Sequence, residues 1–435
     1  MGRLPGTTRT LIAVSGLLVM GATSSAAAAP TADGPTTRAS VSSSGAETDA
    51  ESFAPSVSGN GRYVAFWSAA SSLVSGDANA TADVFVRDLR TRTTSRVSVS
   101  TGGAEADQEA SEPSISGSGR FVAFSSHATN LVPGDTNERG DIFVRDRVTA
   151  TTTRVSVTGA GAEADNTSHS PAISADGRFV AFVSYAADLV PDDTNGVEDV
   201  FVHDRQTHST RRVSVSTAGA EANERSIGPT ITTDGRYVAF GSLASNLVPS
   251  GAGGVFVRDV WRNRTELASV TSAGQPAGGN LGLAATISAE GRFVAFYTDA
   301  PDVVPGDTND VQDIFVRDLR TASTSRAGLT SKGLQGNDNS SMPAISGDGR
   351  FVAFVSYATN LVPGDTNGVE DVFVQDRWTG STRRVSVSAS NGQGDSVSNS
   401  AALSADGSRV AFVSYATNLV PNDGNQLLDV FARGW

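Results

Sequence analysis

Apolar positions along this chain come in short runs and in alternation, and no stretch repeats with a helical period. Around residue 350 the pattern predicts four strands, at 341–346, 351–356, 372–375 and 382–388. Asp348-Gly349 marks a tight turn between the first two, because glycine tolerates positive φ. The second strand is apolar on both faces, as expected of a sheet covered on both sides. The fourth alternates apolar and polar, as an outer strand facing water should. A long loop at 357–370 joins the second strand to the third.

The same pattern returns along the chain. Gly-Arg-(Phe/Tyr)-Val-Ala-Phe recurs at Arg62, Arg120, Arg178, Arg236, Arg292 and Arg350, with a variant, Ser-Arg-Val-Ala-Phe, at Arg409. The spacings are 58, 58, 58, 56, 58 and 59 residues. A fixed period of β-type units predicts identical small sheets stacked together, since none can bury its faces alone. Four antiparallel strands repeated seven times predict an all-β, seven-bladed β-propeller. The ends of the repeat point to closure. Residues 36–42 read as a spare outer strand, whereas the pattern at 429–433 stops at a third strand. Pairing the two closes the ring and covers both open edges.

The phrase Ser-x-Asp-Gly-Arg-Phe-Val-Ala-Phe followed by Asp-(Val/Ile)-Phe-Val-x-Asp resembles the WD40-like repeat of TolB-type propellers. Its clearest copies are 174–182 with 199–204, and 346–354 with 371–376. The resemblance covers residues 36–435 and implies the propeller fold. Such propellers serve in binding, in assembly and beside hydrolase domains, so it implies no single activity.

Ahead of the repeat, Arg3 and Arg9 precede an apolar run at 11–22 and small residues at 24–29. This predicts a signal peptide over 1–28, a short linker at 29–35 and an exported propeller at 36–435. No other stretch is a membrane candidate. The chain has no cysteine, which excludes disulfides and thiol chemistry. Its net charge of −13 argues against nucleic acid and anionic membranes as partners. The expected partner is a protein or a glycan, and the expected state a monomer.

The long loops carry Asp-x-Asn-x-x-x-Asp: Asp77/Asn79/Asp83, Asp135/Asn137/Asp141, Asp193/Asn195/Asp199, Asp307/Asn309/Asp313, Asp365/Asn367/Asp371 and Asp423/Asn425/Asp429. Oxygens at alternate positions begin a Ca²⁺ loop, but the bidentate Glu of an EF-hand is missing. The same residues form Asx turns without an ion, and that reading leads. The fourth unit has lost the motif at 250–254. Loops after the fourth strand add Glu105, Glu163 and Glu221, on the same propeller face, which should be acidic. On the opposite face Trp261 and Trp378 occupy equivalent turns and are expected to pack against them. A repeated Asp after strand three (Asp88, Asp146, Asp204, Asp259, Asp318, Asp376) reads as a turn residue, and the repeated Arg opening strand two as an ion-pair or packing residue.

Catalytic, cofactor and metal residues are not assigned. His127, His169, His203 and His208 follow no repeat position and have no metal-ligand spacing, and His203 and His208, which flank one turn, read as surface substitutions. The repeats are also too alike for an active site: 184–202 and 356–374 differ only at Ala187/Thr359, Asp188/Asn360 and Asp192/Gly364. The leading expectation is therefore an exported, non-catalytic propeller that binds a protein or glycan. The alternatives are a carbohydrate hydrolase or lyase with carboxylates in the central funnel, and a calcium-stabilised structural protein.

Overall fold

The structure is a computed structural model and describes residues 34–435. The expected signal peptide lies outside the described residues, as does most of the linker. The described chain forms seven four-stranded antiparallel sheets. In the first blade the strands are Ser52–Val57, Tyr63–Ser68, Asp83–Asp88 and Thr93–Arg96. The first strands of successive blades are neighbours around a central axis, and the fourth strands lie outermost.

The sixth blade tests the expected boundaries. Its strands are Ser340–Ile345, Phe351–Ser356, Asp371–Asp376 and Ser381–Arg384. The fourth is shorter than the pattern suggested. After Arg384 the chain turns away, and Val387 pairs instead with Gln393 of its own loop. Every residue of the second strand is buried, which agrees with its two apolar faces. In the fifth blade only Thr286–Ile287 of the first strand is regular.

Apolar clusters form between blades. Ala65, Val84 and Val86 of blade one pack with Val122, Phe124 and Phe143 of blade two. Within each blade a phenylalanine pair stacks across strands two and three, as in Phe66 and Phe85 with ring centroids 5.8 Å apart.

Closure follows the expected route. The seventh sheet consists of Ser398–Leu403, Arg409–Ser414, Asp429–Gly434 and the N-terminal strand Thr37–Arg38. That strand is shorter than 36–42, but Ala39 N and Ser40 N both donate to Val430 O, so the seam continues past it. Gly34 N also donates to Gly434 O at 2.8 Å, which extends the seam into the expected linker. Val64, Phe66 and Phe85 of blade one cluster with Val413 and Val430 of blade seven.

The register corrects one anchor. Phe351 pairs with Asp376, and Arg409 pairs with Gly434. Arg409 therefore stands where other blades carry Phe or Tyr, and Ser408 stands at the arginine position. The 59-residue final spacing is this one-residue shift. The six true copies of the arginine pair with the repeated aspartate in the same blade. Arg120 Nη2 lies 2.7 Å from Asp146 and Arg178 Nη2 lies 2.6 Å from Asp204. The aspartate also caps its turn, as Asp146 does by accepting from Val148 N at 2.9 Å. Blade seven has lost both partners together.

Deleting residues 34–43 should leave the edge of Asp429–Gly434 unpaired. The expected result is a lower melting midpoint and association on size exclusion. A monomer with an unchanged midpoint would mean that closure contributes nothing to stability.

Candidate functional site

Two places concentrate polar chemistry, and both lie on the face that carries the long loops. The first is a carboxylate cluster between the Asp-x-Asn loop and the loop after the outer strand. In blade one, Asp77, Asp83 and Glu105 bring carboxylate oxygens within 4.8 Å of one another, and Asp135, Asp141 and Glu163 do the same in blade two. Each cluster encloses an arginine from the end of the outer strand. Arg96 Nη1 lies 3.2 Å from Asp77, 3.0 Å from Asp83 and 2.8 Å from Glu105. Arg154 and Arg212 repeat the arrangement, and Arg38 repeats it across the closing seam with Glu47, Asp423 and Asp429. The five N–H donors of a guanidinium, in a fixed fork, suit this many carboxylate oxygens.

The repeat shows that aspartates and arginine act as a unit: they stay together in blades five and six, where Gln335 and Gln393 replace the glutamate, and are lost together in blade four. In blade four Gly254 replaces the buried aspartate, Leu267 the arginine and Pro276 the glutamate. The sequence reading took the aspartates and glutamates separately and missed Arg96, Arg154, Arg212 and Arg384. Their joint loss in the fourth unit was the available signal.

Asparagines of the motif shape the turn, as expected. Asn195 Oδ1 accepts from Val197 N at 3.0 Å, and its amide donates to Ala222 O at 2.9 Å. In most blades a serine donates to the buried aspartate, as Ser98 does to Asp83. Burial raises Asp77, Asp141, Asp193, Asp313 and Asp423 to about 6. On the opposite face the arginine hydrogen bond holds Asp88, Asp146, Asp204 and Asp318 well below the usual carboxylate range.

The second place is the mouth of the central channel. In five blades the residue after the second strand bonds back to the lead-in of the first strand. Tyr185 N donates to Thr167 O at 3.0 Å, Tyr357 N to Asn339 O at 3.1 Å and Tyr415 N to Val397 O at 3.1 Å. Ala69, His127, Leu243 and Asp299 hold the other equivalent positions. The three tyrosines are 44%, 44% and 41% exposed. Each has a carboxylate nearby: Tyr415 Oη donates to Glu51 at 2.9 Å, burial and Glu198 push the Tyr185 hydroxyl up, and Glu370 and burial push the Tyr357 hydroxyl up.

Blade three adds unlike groups here. His169 Nε2 lies 3.2 Å from Glu198 Oε1, and its Nδ1 lies 3.0 Å from Ser170 Oγ. Ser170 N donates to Glu112 of blade two at 2.6 Å. Ser170 and Glu112 sit at bulges of the innermost strand with φ near +52°. His169, which follows no repeat position in the sequence, is thus part of this group.

The other end of the channel is chemically plain. The first-strand turns carry Gly59, Gly117, Ala175, Thr233, Ala289, Gly347 and Ala405 at equivalent positions. Backbone bonds tie neighbours: Ala289 N donates to Gly347 O at 3.0 Å and Gly347 N to Ala405 O at 2.8 Å. A Cβ on Gly347 would come 2.9 Å from Ala405 O, so the small residue is demanded by packing.

His203 departs from expectation. It replaces the arginine found at Arg87, Arg145 and Arg258, and is only 2% exposed. Its Nδ1 lies 3.0 Å from Thr210 Oγ1, and burial lowers it to about 4, so it is neutral at pH 7. Trp261 and Trp378 are 60% and 64% exposed. They stack on Arg236 and Arg350, at 5.3 and 4.9 Å, and leave their outer faces to solvent.

Neither a family model nor a curated protein matches the sequence. Solved structures do match. An oligogalacturonate lyase in complex with manganese aligns over 93% of this chain and 94% of that one, with a TM-score of 0.56 and 13% identity. The β-propeller domain of the Trilobed protease from Pyrococcus furiosus, with an open velcro topology, aligns over 88% and 95%, with a TM-score of 0.54 and 12% identity. The likeness is one of fold. TolB from Acinetobacter baumannii aligns over 69% of this chain, which spans 58% of that protein, with a TM-score of 0.39 and 16% identity. The resemblance to TolB-type propellers seen in the repeat therefore stands at the level of a seven-bladed all-β propeller.

Replacing Arg96 by Met should destabilise the protein by on the order of 3 kcal/mol, because three partly or fully buried carboxylates lose their cation. Lowering the pH from 7.5 to 5.5 should recover part of that loss. For the native protein the raised carboxyls contribute stability that is complete below about 3.8 and lost as pH rises through about 6. The lowered ones contribute above about 3.8 and lose it in stronger acid. A melting midpoint that is highest near about pH 4 and falls as pH rises through about 6 is expected, and a flat profile from about 4 to 7 would contradict this account. A calcium chelator should leave the midpoint unchanged, since guanidinium groups already bridge these oxygens.

Proposed function

We propose that the protein is a glycan-binding propeller whose ligand lies across the loop-face mouth of the channel. The observation that carries this reading is the set of three half-exposed tyrosines at equivalent positions around the axis, each with a carboxylate nearby. An exposed ring offers an apolar face to the C–H side of a sugar, and the adjacent carboxylate accepts from its hydroxyls. Holding a ring in place, as Glu51 does for Tyr415, lowers the ordering cost of binding. Export, expected from residues 1–28, accords with an extracellular or cell-wall glycan.

Charge selects among glycans. Glu51, Glu112, Glu198 and Glu370 surround the mouth, on a chain of net charge −13. A polyanion such as the oligogalacturonate of the similar lyase would be repelled, so a neutral or amino sugar is favoured. Replacing Tyr185, Tyr357 and Tyr415 by Ala should weaken binding on a glycan array by about two- to tenfold per ring. Retained binding by the triple variant would remove the reading.

One observation favours a second reading. His169, Glu198, Ser170 and Glu112 place unlike acidic, basic and hydroxyl groups at one end of the channel, as a carbohydrate hydrolase or lyase requires. Incubation with neutral and uronic oligosaccharides, followed by mass spectrometry, should then show products that His169→Ala abolishes. No product from any substrate would leave the binding reading alone.

A further inference from the structure

The turn face contains a repeated socket that the protein fills with its own arginines. In blades two, three and six the residue after the repeated aspartate is Arg147, Arg205 or Arg377. Each reaches across the blade boundary to an aromatic ring of the preceding blade. The guanidinium carbon lies 4.7 Å from the Tyr63 ring centroid, 4.6 Å from Phe121 and 4.9 Å from Phe293. Each also donates from Nη1 to the carbonyl of its own blade's turn glycine. The distances are 2.6 Å to Gly119 O, 2.6 Å to Gly177 O and 2.5 Å to Gly349 O. Ring and carbonyl together define a site for one planar cation.

Between blades four and five the same socket is built but not filled in this way. Tyr237 presents the ring, and Arg236 lies over it at 4.6 Å, as Arg62 lies over Tyr63. Gly291 approaches that ring just as Gly119 approaches Tyr63: an added Cβ would lie 2.3 Å and 2.2 Å from the respective rings. The residue at the arginine position is Leu319, which has no donor for the Gly291 carbonyl. A cavity of about 490 Å³ opens here, lined by Tyr237, Gly291, Leu319 and Glu290 among others. Glu290 replaces the shorter Ser118, Asp176 and Asp348 of the filled sockets, and has no ion pair among the described residues. Four arginines line the cavity: Arg292 is held by Asp318 at 2.6 Å and Arg264 by Glu266 at 3.0 Å, and Arg262 and Arg320 stand beside them.

We infer that this socket receives an arginine side chain from a partner protein. The three filled copies show the occupant that fits: a guanidinium flat against the ring, with one N–H on the glycine carbonyl. Glu290 lines the same cavity with Arg262 and Arg320 beside it, so the ring and the carbonyl, and not net charge, define the site. The partner would thus dock on the turn face, across the seam between blades four and five and opposite the channel mouth with its tyrosines. The inference does not depend on the glycan reading.

The test uses the full chain and the peptides acetyl-Gly-Arg-Gly-amide, its lysine counterpart and its citrulline counterpart. Calorimetry should show saturable binding of the arginine peptide with about millimolar affinity, and weaker or no binding of the other two. Leu319→Arg should fill the socket from within. That variant should lose the peptide and melt on the order of 1–3 °C higher than the native protein. Equal binding of all three peptides would overturn the inference, as would undiminished binding to Leu319→Arg. A Leu319→Arg protein that melts lower or does not fold would also count against it. Tyr237→Leu offers an independent check, and should abolish arginine binding while leaving glycan binding unchanged.

Discussion

Each blade is apolar on both faces, and that property governs the rest of the molecule. A sheet such as Phe351–Ser356 with Asp371–Asp376 has no exposed side on which to end. It must be covered twice, so the ring has to close, and the clusters of buried residues straddle the blade boundaries. Closure through a chain-terminal strand makes the most distant segments of the sequence depend on one another. It also removes the edges that a stack of sheets would leave open.

Polar groups are handled by the same economy of internal partners. The carboxylates that could have begun a calcium loop instead surround Arg96, Arg154, Arg212 and Arg38. A covalently attached cation needs no supply from solution, and it links the outer strand to both neighbouring loops. Blade four shows the alternative, in which aspartate, arginine and glutamate are all absent and a shorter glycine-rich loop suffices. The opposite face uses the arginine–aspartate pair and the arginine–aromatic stack to join strands and blades. In blade seven the arginine and its aspartate are lost together, at Ser408 and Gly434.

Sevenfold repetition also decides where function can reside. Positions that are alike in all blades serve the ring. Positions that differ are free to recognise something, and they concentrate at the channel mouth and at the seam between blades four and five. The mouth is carboxylate-rich and aromatic, whereas the far end of the channel carries only small residues whose neighbours touch. A ligand therefore meets specific chemistry at one end only.

Fold and closure were legible in the sequence because both follow from local patterns repeated seven times. Strand period, Asp-Gly turns and a displaced outer strand are properties of neighbouring residues, and repetition averages away their ambiguity. The turn-shaping role of Asn195 and its counterparts was legible for the same reason. The burial of His203, the shifted position of Arg409 and the arginine at the centre of each acidic cluster were not. These depend on which residues meet across strands and blades, and a one-residue change of register places a side chain in a different environment. The same holds for the tyrosine crown, assembled from positions 185, 357 and 415, and for the socket made by Leu319. Local sequence determined what each blade is. Only the closed ring decided which of its side chains face one another, because those contacts join residues tens to hundreds of positions apart.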